Sequence, residues 1–302
     1  MHVLVVGSVA FDNVRTPSGH AQNILGGSAS HFSVTASYFA PVNLVAVVGE
    51  DFGEAELAVF KSRSVGVEGL ERATGKTFRW DAEYPPENIN EAKTLDTQLN
   101  VFEQFSPKIP DAYRDSEFVF LGNIDPTLQR RVCQQLPKAR LVALDTMNYW
   151  IHRTPEELKK TLSVVDLLLV NEAEARMLAG CHNLRRAARC IQKMGPKMVV
   201  VKRGEYGVIM FKDDLIFFVP AYPLEEVHDP TGAGDSFAGG FMGYLAQAGD
   251  LTESSLRRAM VYGSVMASFA VEDFGLRRTV RLSRPEIDAR FHEFKHMTHF
   301  DV

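Results

Sequence analysis

The sequence predicts an α/β fold of three layers, α/β/α, with a mainly parallel central sheet and a small β-strand lid. Three observations carry the prediction. Val3–Val6 is an unbroken apolar run stopped by Gly7-Ser8, and Val42–Val48 is a second, the pattern of strands buried on both faces. From Glu117 onward, short apolar runs at Phe118–Leu121, 141–144, 167–170 and Met198–Lys202 alternate with segments opened by Pro126 and Pro155. Strands separated by helices imply right-handed crossovers and a parallel sheet covered on both sides. With 302 residues, 45% hydrophobic and 24% charged, the chain can bury a substantial core and reads as one domain over 1–302.

Bulk properties exclude several classes of partner. A net charge of −5 without a dense Lys/Arg block gives no footing for nucleic acid or an anionic membrane. No apolar run approaches the ~20 residues that span a bilayer. The start, Met-His-Val-Leu-Val-Val-Gly, enters a strand and lacks the basic region and cleavage site of a signal peptide. The three cysteines, 133, 181 and 190, show no C-x-x-C pairing and so no disulfide framework or zinc site. A reduced, cytoplasmic protein is the expectation.

Taken in order, Asp12 lies just past the first strand, where open α/β sheets place their ligands. Thr16-Pro17-Ser18-Gly19 is a turn, and Gly26-Gly27 opens a small-residue helix running to about Phe39. Gly49-Glu50-Asp51-Phe52-Gly53 closes the second strand and reads as structural. Gly75-Lys76-Thr77 is not a phosphate loop: five residues separate Gly69 from Gly75 where the motif needs four, and a strand-like Phe78-Arg79-Trp80 follows. Residues 76–83 and 94–104 alternate around Pro85-Pro86-Glu87-Asn88 and predict a hairpin. Asn123, Asp125, Asp145 and Asn148 fall beyond strand ends, where caps are commoner than ligands. Asn171 and Glu174 share one face of a first helical turn. They read as a hydrated Mg²⁺ site or as a cap with an acidic first turn. Residues 202–207, with Gly204 and Gly207, turn the chain into 208–211. His292, His296 and His299 read as a solvated helix face, since no carboxylate or cysteine completes a metal set.

The chain is organised around 228–242, H-D-P-T-G-A-G-D-S-F-A-G-G-F-M. Small residues at Gly232, Ala233 and Gly234 let backbone N–H groups converge, and the helix that follows adds its positive dipole end. Asp235 stands on the lip of that anion hole. The pairing suits phosphoryl transfer to a hydroxyl, the amides holding phosphate charge while the carboxylate takes the proton. The alternative is a Gly-rich turn with Asp235 as an ordinary cap.

The whole run resembles the C-terminal signature of the ribokinase-like (PfkB) carbohydrate kinases, without gaps. Gly26-Gly27, the V-G-E-D-x-x-G run and N-x-x-E at Asn171 and Glu174 resemble the same family. The resemblance implies a ribokinase-like domain whose lid strands, within about 13–25 and 75–105, cover the sugar and often pair between subunits as a homodimer. It implies Asp235 as catalytic base and Gly232, Ala233 and Gly234 as anion hole. Asp12, Gly26, Gly27 and His31 would hold the acceptor. ATP would meet Asn171, Lys202, Arg203, Gly204, Gly207 and Ser264, with Mg²⁺ at Asn171 and Glu174 and a K⁺ loop at Asp229, Thr231 and Gly275. Three departures bear on the acceptor: Ala10 where ribokinase has Asn, His31 where many members have Asn, and Ser28 where phosphosugar kinases carry Lys. They argue against ribose itself and against a sugar phosphate. The expected activity is an ATP-dependent kinase acting on a hydroxyl of a sugar or sugar-like alcohol. The alternatives are a nucleoside kinase of the same fold, or a non-catalytic sugar sensor.

Overall fold

In the computed structural model, residues 1–299 are described. Nine strands form one sheet. In chain order these are β1 (Val3–Val6), β4 (Val42–Val48), β5 (Gly66–Arg72), β8 (Phe118–Leu121), β9 (Leu141–Asp145), β10 (Leu167–Asn171), β11 (Met198–Lys202), β12 (Val208–Lys212) and β13 (Leu215–Val219). Their spatial order is β13-β12-β11-β10-β9-β8-β1-β4-β5. Every pairing is parallel except those of β11 with β12 and β12 with β13, the two hairpins that finish one edge.

Alternation along a strand sends successive side chains to opposite faces. On β1, Val3 and Val5 join a core with Phe32, Phe60, Phe237, Phe241 and Met266, on the side of helices Ser28–Ala36, Ala233–Ala248 and Glu253–Ala270. Leu4 and Val6 join the opposite core with Val132, Leu158, Leu162 and Ile191, under helices Pro126–Gln134, Pro155–Leu162 and Leu184–Gln192. These are the three layers expected.

The lid is a separate four-stranded sheet of β2 (Ala10–Thr16), β3 (Gly19–Gly26), β6 (Phe78–Glu83) and β7 (Lys93–Gln98), in the order β3-β2-β6-β7. The Thr16–Gly19 turn joins β2 to β3, and β6 pairs antiparallel with β7 as the hairpin predicts. That hairpin's second strand is shorter than expected. It ends at Gln98, and Asn100–Gln104 is a 3-10 turn. There Val101 is buried, and Phe102 stacks between Phe78 and Phe105 at 5.3 and 5.4 Å, so burial rather than strand pairing captures this segment. The Gly26-Gly27 helix likewise stops at Ala36, short of Phe39. Asp51 anchors the lid to the main sheet, accepting from Thr77 N and Oγ1 at 2.7 Å each and pairing with Arg79. Thr77 is fully buried in that role, so Gly75-Lys76-Thr77 is structural.

Candidate active site

The Asp229–Asp235 segment enters the cleft between the lid and the carboxyl ends of the strands. Asp229 is fully buried, its two oxygens accepting from Thr231 N and Gly275 N at 2.9 Å each. This clamps the turn to the 271–276 loop. Gly232 caps the helix Ala233–Ala248 with φ +71°, and a Cβ there would lie 2.3–2.4 Å from three atoms of the His31 ring. No residue with a side chain fits. The Ala233 N–H donates to the Pro230 carbonyl at 3.2 Å. Gly232 and Gly234 remain to donate at the helix start, where first-turn amides have no intrahelical acceptor.

Asp235, half-buried on the first turn, has its carboxyl raised to about 7 by burial and by Asp145, against the pull of Lys202. Lys202 ends β11, and its Nζ lies 2.8 Å from Asp145 Oδ2 and 2.8 Å from where a Gly234 Cβ would stand. The ammonium therefore sits at the mouth of the anion loop. Burial works against its charge, but Asp145, Glu174 and Asp235 outweigh this and hold its pKa up.

Asn171 and Glu174 form a reciprocal cap: Glu174 N donates to Asn171 Oδ1 at 2.8 Å, and Asn171 N to Glu174 Oε2 at 2.9 Å. The capping alternative is thus what the backbone displays, yet Glu174 also faces the site. It is buried, and its carboxyl is raised to about 7 by burial and by Asp145. Three acidic groups against one lysine leave an excess of negative charge that a divalent cation would relieve. Among the described residues no group of three or more His, Cys, Asp or Glu is arranged to cage a metal. The donor set fits an ion that keeps its waters and bridges phosphates, which is how Mg²⁺ binds.

On the lid side, Asp12 of β2 is buried, and its carboxyl is raised to about 8 by burial and by Asp229. A Cβ on Gly26 would overlap the Asp12 carboxylate at 1.8 Å, and Gly27, with φ +90°, lies against the Ser8 carbonyl. His31 is buried beneath Gly232, its pKa lowered to about 4 by burial, and neither ring nitrogen has a partner among the described residues. The fold thus brings Asp12, Gly26, Gly27, His31, Gly232, Gly234, Lys202, Glu174 and Asp235 to one cleft.

Other expected contacts are occupied within the protein. Arg203 pairs with Glu172 at 2.6 Å, and Ser264 Oγ donates to the Met260 carbonyl at 3.0 Å. Gly204, at φ +55°, lies against the Asn90 side chain of the lid's connecting loop. Asp125 caps its helix through Thr127 N, and Asn123 accepts from Trp150 Nε1. His292, His296 and His299 are exposed. Sequence reasoning treated Asp145 as one strand-end carboxylate among several, although its place on β9, one strand removed from Lys202 on β11, gives it the buried ion pair. Tyr84 carried no signal beyond preceding Pro85-Pro86.

Comparison with known proteins adds three findings. The pfkB family carbohydrate kinase pattern matches residues 2–281. A cytidine kinase of Thermococcus kodakarensis is 30% identical over 260 residues, 84% of this chain and 91% of that protein, and a nucleoside kinase of Methanothermobacter thermautotrophicus is 26% identical over 293 residues, 92% of each. The crystal structure of a Burkholderia thailandensis nucleoside kinase in complex with inosine superposes with a TM-score of 0.75 at 19% identity, covering 96% of this chain and 98% of that one.

Proposed function

The chain belongs to the pfkB carbohydrate kinase family, phosphotransferases with an alcohol acceptor, and we propose that it moves the γ-phosphoryl of ATP onto a sugar hydroxyl, with a nucleoside as the favoured acceptor. One observation carries the reading: a carboxylate poised near neutrality, Asp235, stands beside unpaired helix-start amides and the Lys202 ammonium, facing the buried carboxyl group of Asp12. The preference for a nucleoside over a free sugar rests on the two near full-length relatives, a cytidine and a nucleoside kinase. It also agrees with the changed residues Ala10 and His31.

In this reading Asp12, Gly26, Gly27 and His31 hold the acceptor, and Asp235 receives its hydroxyl proton. The acceptor oxygen bonds to the γ-phosphorus as the bond to the β–γ bridging oxygen breaks, and ADP leaves. A raised pKa makes Asp235 a stronger base than an exposed aspartate while leaving about half of it ionised near neutral pH. Such transfer has a loose transition state, so positioned charge supplies most of the acceleration. The Gly232 and Gly234 amides and Lys202 meet the phosphoryl oxygens. The surroundings of Ala233, Arg203, Gly204, Gly207 and Ser264 form the rest of the nucleotide site. Bound Mg²⁺ would neutralise phosphate charge, its water shell held by Asn171 and Glu174.

The Asp229, Thr231 and Gly275 loop is proposed for K⁺, because buried Asp229 accepts from the Thr231 and Gly275 amides and pairs with no cationic side chain among the described residues. The outer lid strand β7, exposed along its length with Leu95 43% exposed, is the proposed dimer edge. A cytoplasmic location fits the cysteine usage. ADP release measured over free sugars, sugar phosphates and nucleosides tests the reading. Turnover with nucleosides supports it, turnover with free sugars alone moves the acceptor class, and ligand binding without turnover would leave only a sensor.

A further inference from the structure

The lid grips the segment entering the anion loop at three points. Thr16 Oγ1 donates to the His228 carbonyl at 2.7 Å, Ser18 Oγ to the Val227 carbonyl at 3.0 Å, and Thr231 Oγ1 to Tyr84 Oη at 3.2 Å. Only the third is buried. Tyr84 follows β6, and its N–H donates to the Arg15 carbonyl at 2.8 Å, so the lid sheet fixes its backbone. Its ring belongs to a small core with Val14, Ala21 and Phe274, and 7% of the residue is exposed. Like any phenol, its hydroxyl keeps its proton at neutral pH. Accepting from Thr231, the phenol still has that proton to give. The charges that reach it are those of Asp229, Asp12 and Asp235, and the acceptor is placed between the last two.

We propose that Tyr84 is an acceptor-site residue: held by Thr231, its hydroxyl donates to an oxygen of the bound acceptor and so ties lid closure to the start of the anion loop. A sugar hydroxyl, free or within a nucleoside, is the matching chemistry. The role rests on the kinase reading. It also explains why a lid residue penetrates to the carboxylates, where an apolar side chain would fill the small core equally well.

The test compares Tyr84→Phe, Thr231→Val and the double variant, scoring acceptor KM, ATP KM, kcat and melting temperature. Phenylalanine keeps the packed ring and removes only the hydroxyl. The expected result is an acceptor KM raised about 5- to 30-fold, the worth of one buried hydrogen bond, with ATP KM unchanged within about 2-fold. Thr231→Val should raise acceptor KM in the same direction. The double variant should be no worse than Tyr84→Phe, because both remove one coupled unit. An unchanged acceptor KM in Tyr84→Phe, additive effects, or equal loss of acceptor and ATP affinity would overturn the proposal. If Tyr84→Phe does not fold, Thr231→Val decides alone, and an unchanged acceptor KM there overturns it. Wild-type protein inactive on every acceptor would sink the kinase reading instead, a separate outcome.

Discussion

Gly232→Ala places a methyl group where the structure has no room for one. The Gly232 backbone is left-handed, at φ +71°, which costs an alanine about 1–2 kcal/mol. The new Cβ would lie 2.3 Å from His31 Cγ and Nδ1 and 2.4 Å from Cδ2. His31 cannot retreat, being buried on a helix whose every residue is buried, so overpacking adds about 1–3 kcal/mol. The sum is roughly 2–5 kcal/mol, a large part of ordinary domain stability. If the loop shifts to escape, its amides leave the phosphoryl, and a displacement of about 1 Å costs on the order of 10²-fold in turnover. Thermal unfolding and steady-state ADP release measure the two effects. Adding His31→Ala to Gly232→Ala removes the collision but not the backbone strain, so part of the loss should return. A Gly232→Ala protein with wild-type melting temperature and turnover would refute this description of the loop.

Three further outcomes follow from the same geometry. With Asp235 raised to about 7, kcat/KM should fall about tenfold per pH unit well below 7 and level off above it; a profile flat from pH 5.5 to 8 contradicts an ionised base there. Groups whose folded pKa is raised bind protons more tightly when folded, so Asp12, Asp235 and Glu174 should make the ligand-free protein melt higher at pH 6.5 than at pH 8. Below 6.5 His31, kept neutral in the fold, begins to offset that gain; melting temperatures that rise with pH from 6.5 to 8 would contradict the burial of these acids. Lys202→Met strands Asp145, 6% exposed, and should cost about 3–5 kcal/mol in denaturant unfolding, much of it recovered by adding Asp145→Asn; full additivity would mean that the pair is not coupled.

Much of the fold was legible because buried parallel strands are written as unbroken apolar runs. β1, β4, β8 and β11 start and stop where those runs do. β5 was missed, since Gly66-Val67-Glu68-Gly69-Leu70-Glu71-Arg72 is a half-exposed edge with neither alternation nor an apolar run. β7 was overextended because Val101 and Phe102 look like strand residues until tertiary packing turns them inward. The anion loop could be read from glycine spacing, since backbone conformation there demands residues without side chains. What linear sequence hides is pairing at a distance: Asp145 with Lys202 across the intervening strand β10, and Tyr84 with Thr231 across the cleft.

Asp235 is the group on which the proposed chemistry turns, and Asp235→Asn keeps its shape while removing its charge. With MgATP and the preferred nucleoside, nucleotide binding by calorimetry should persist while kcat falls at least about 10²-fold, the low end for a positioned base. Turnover within a few-fold of wild type would contradict it.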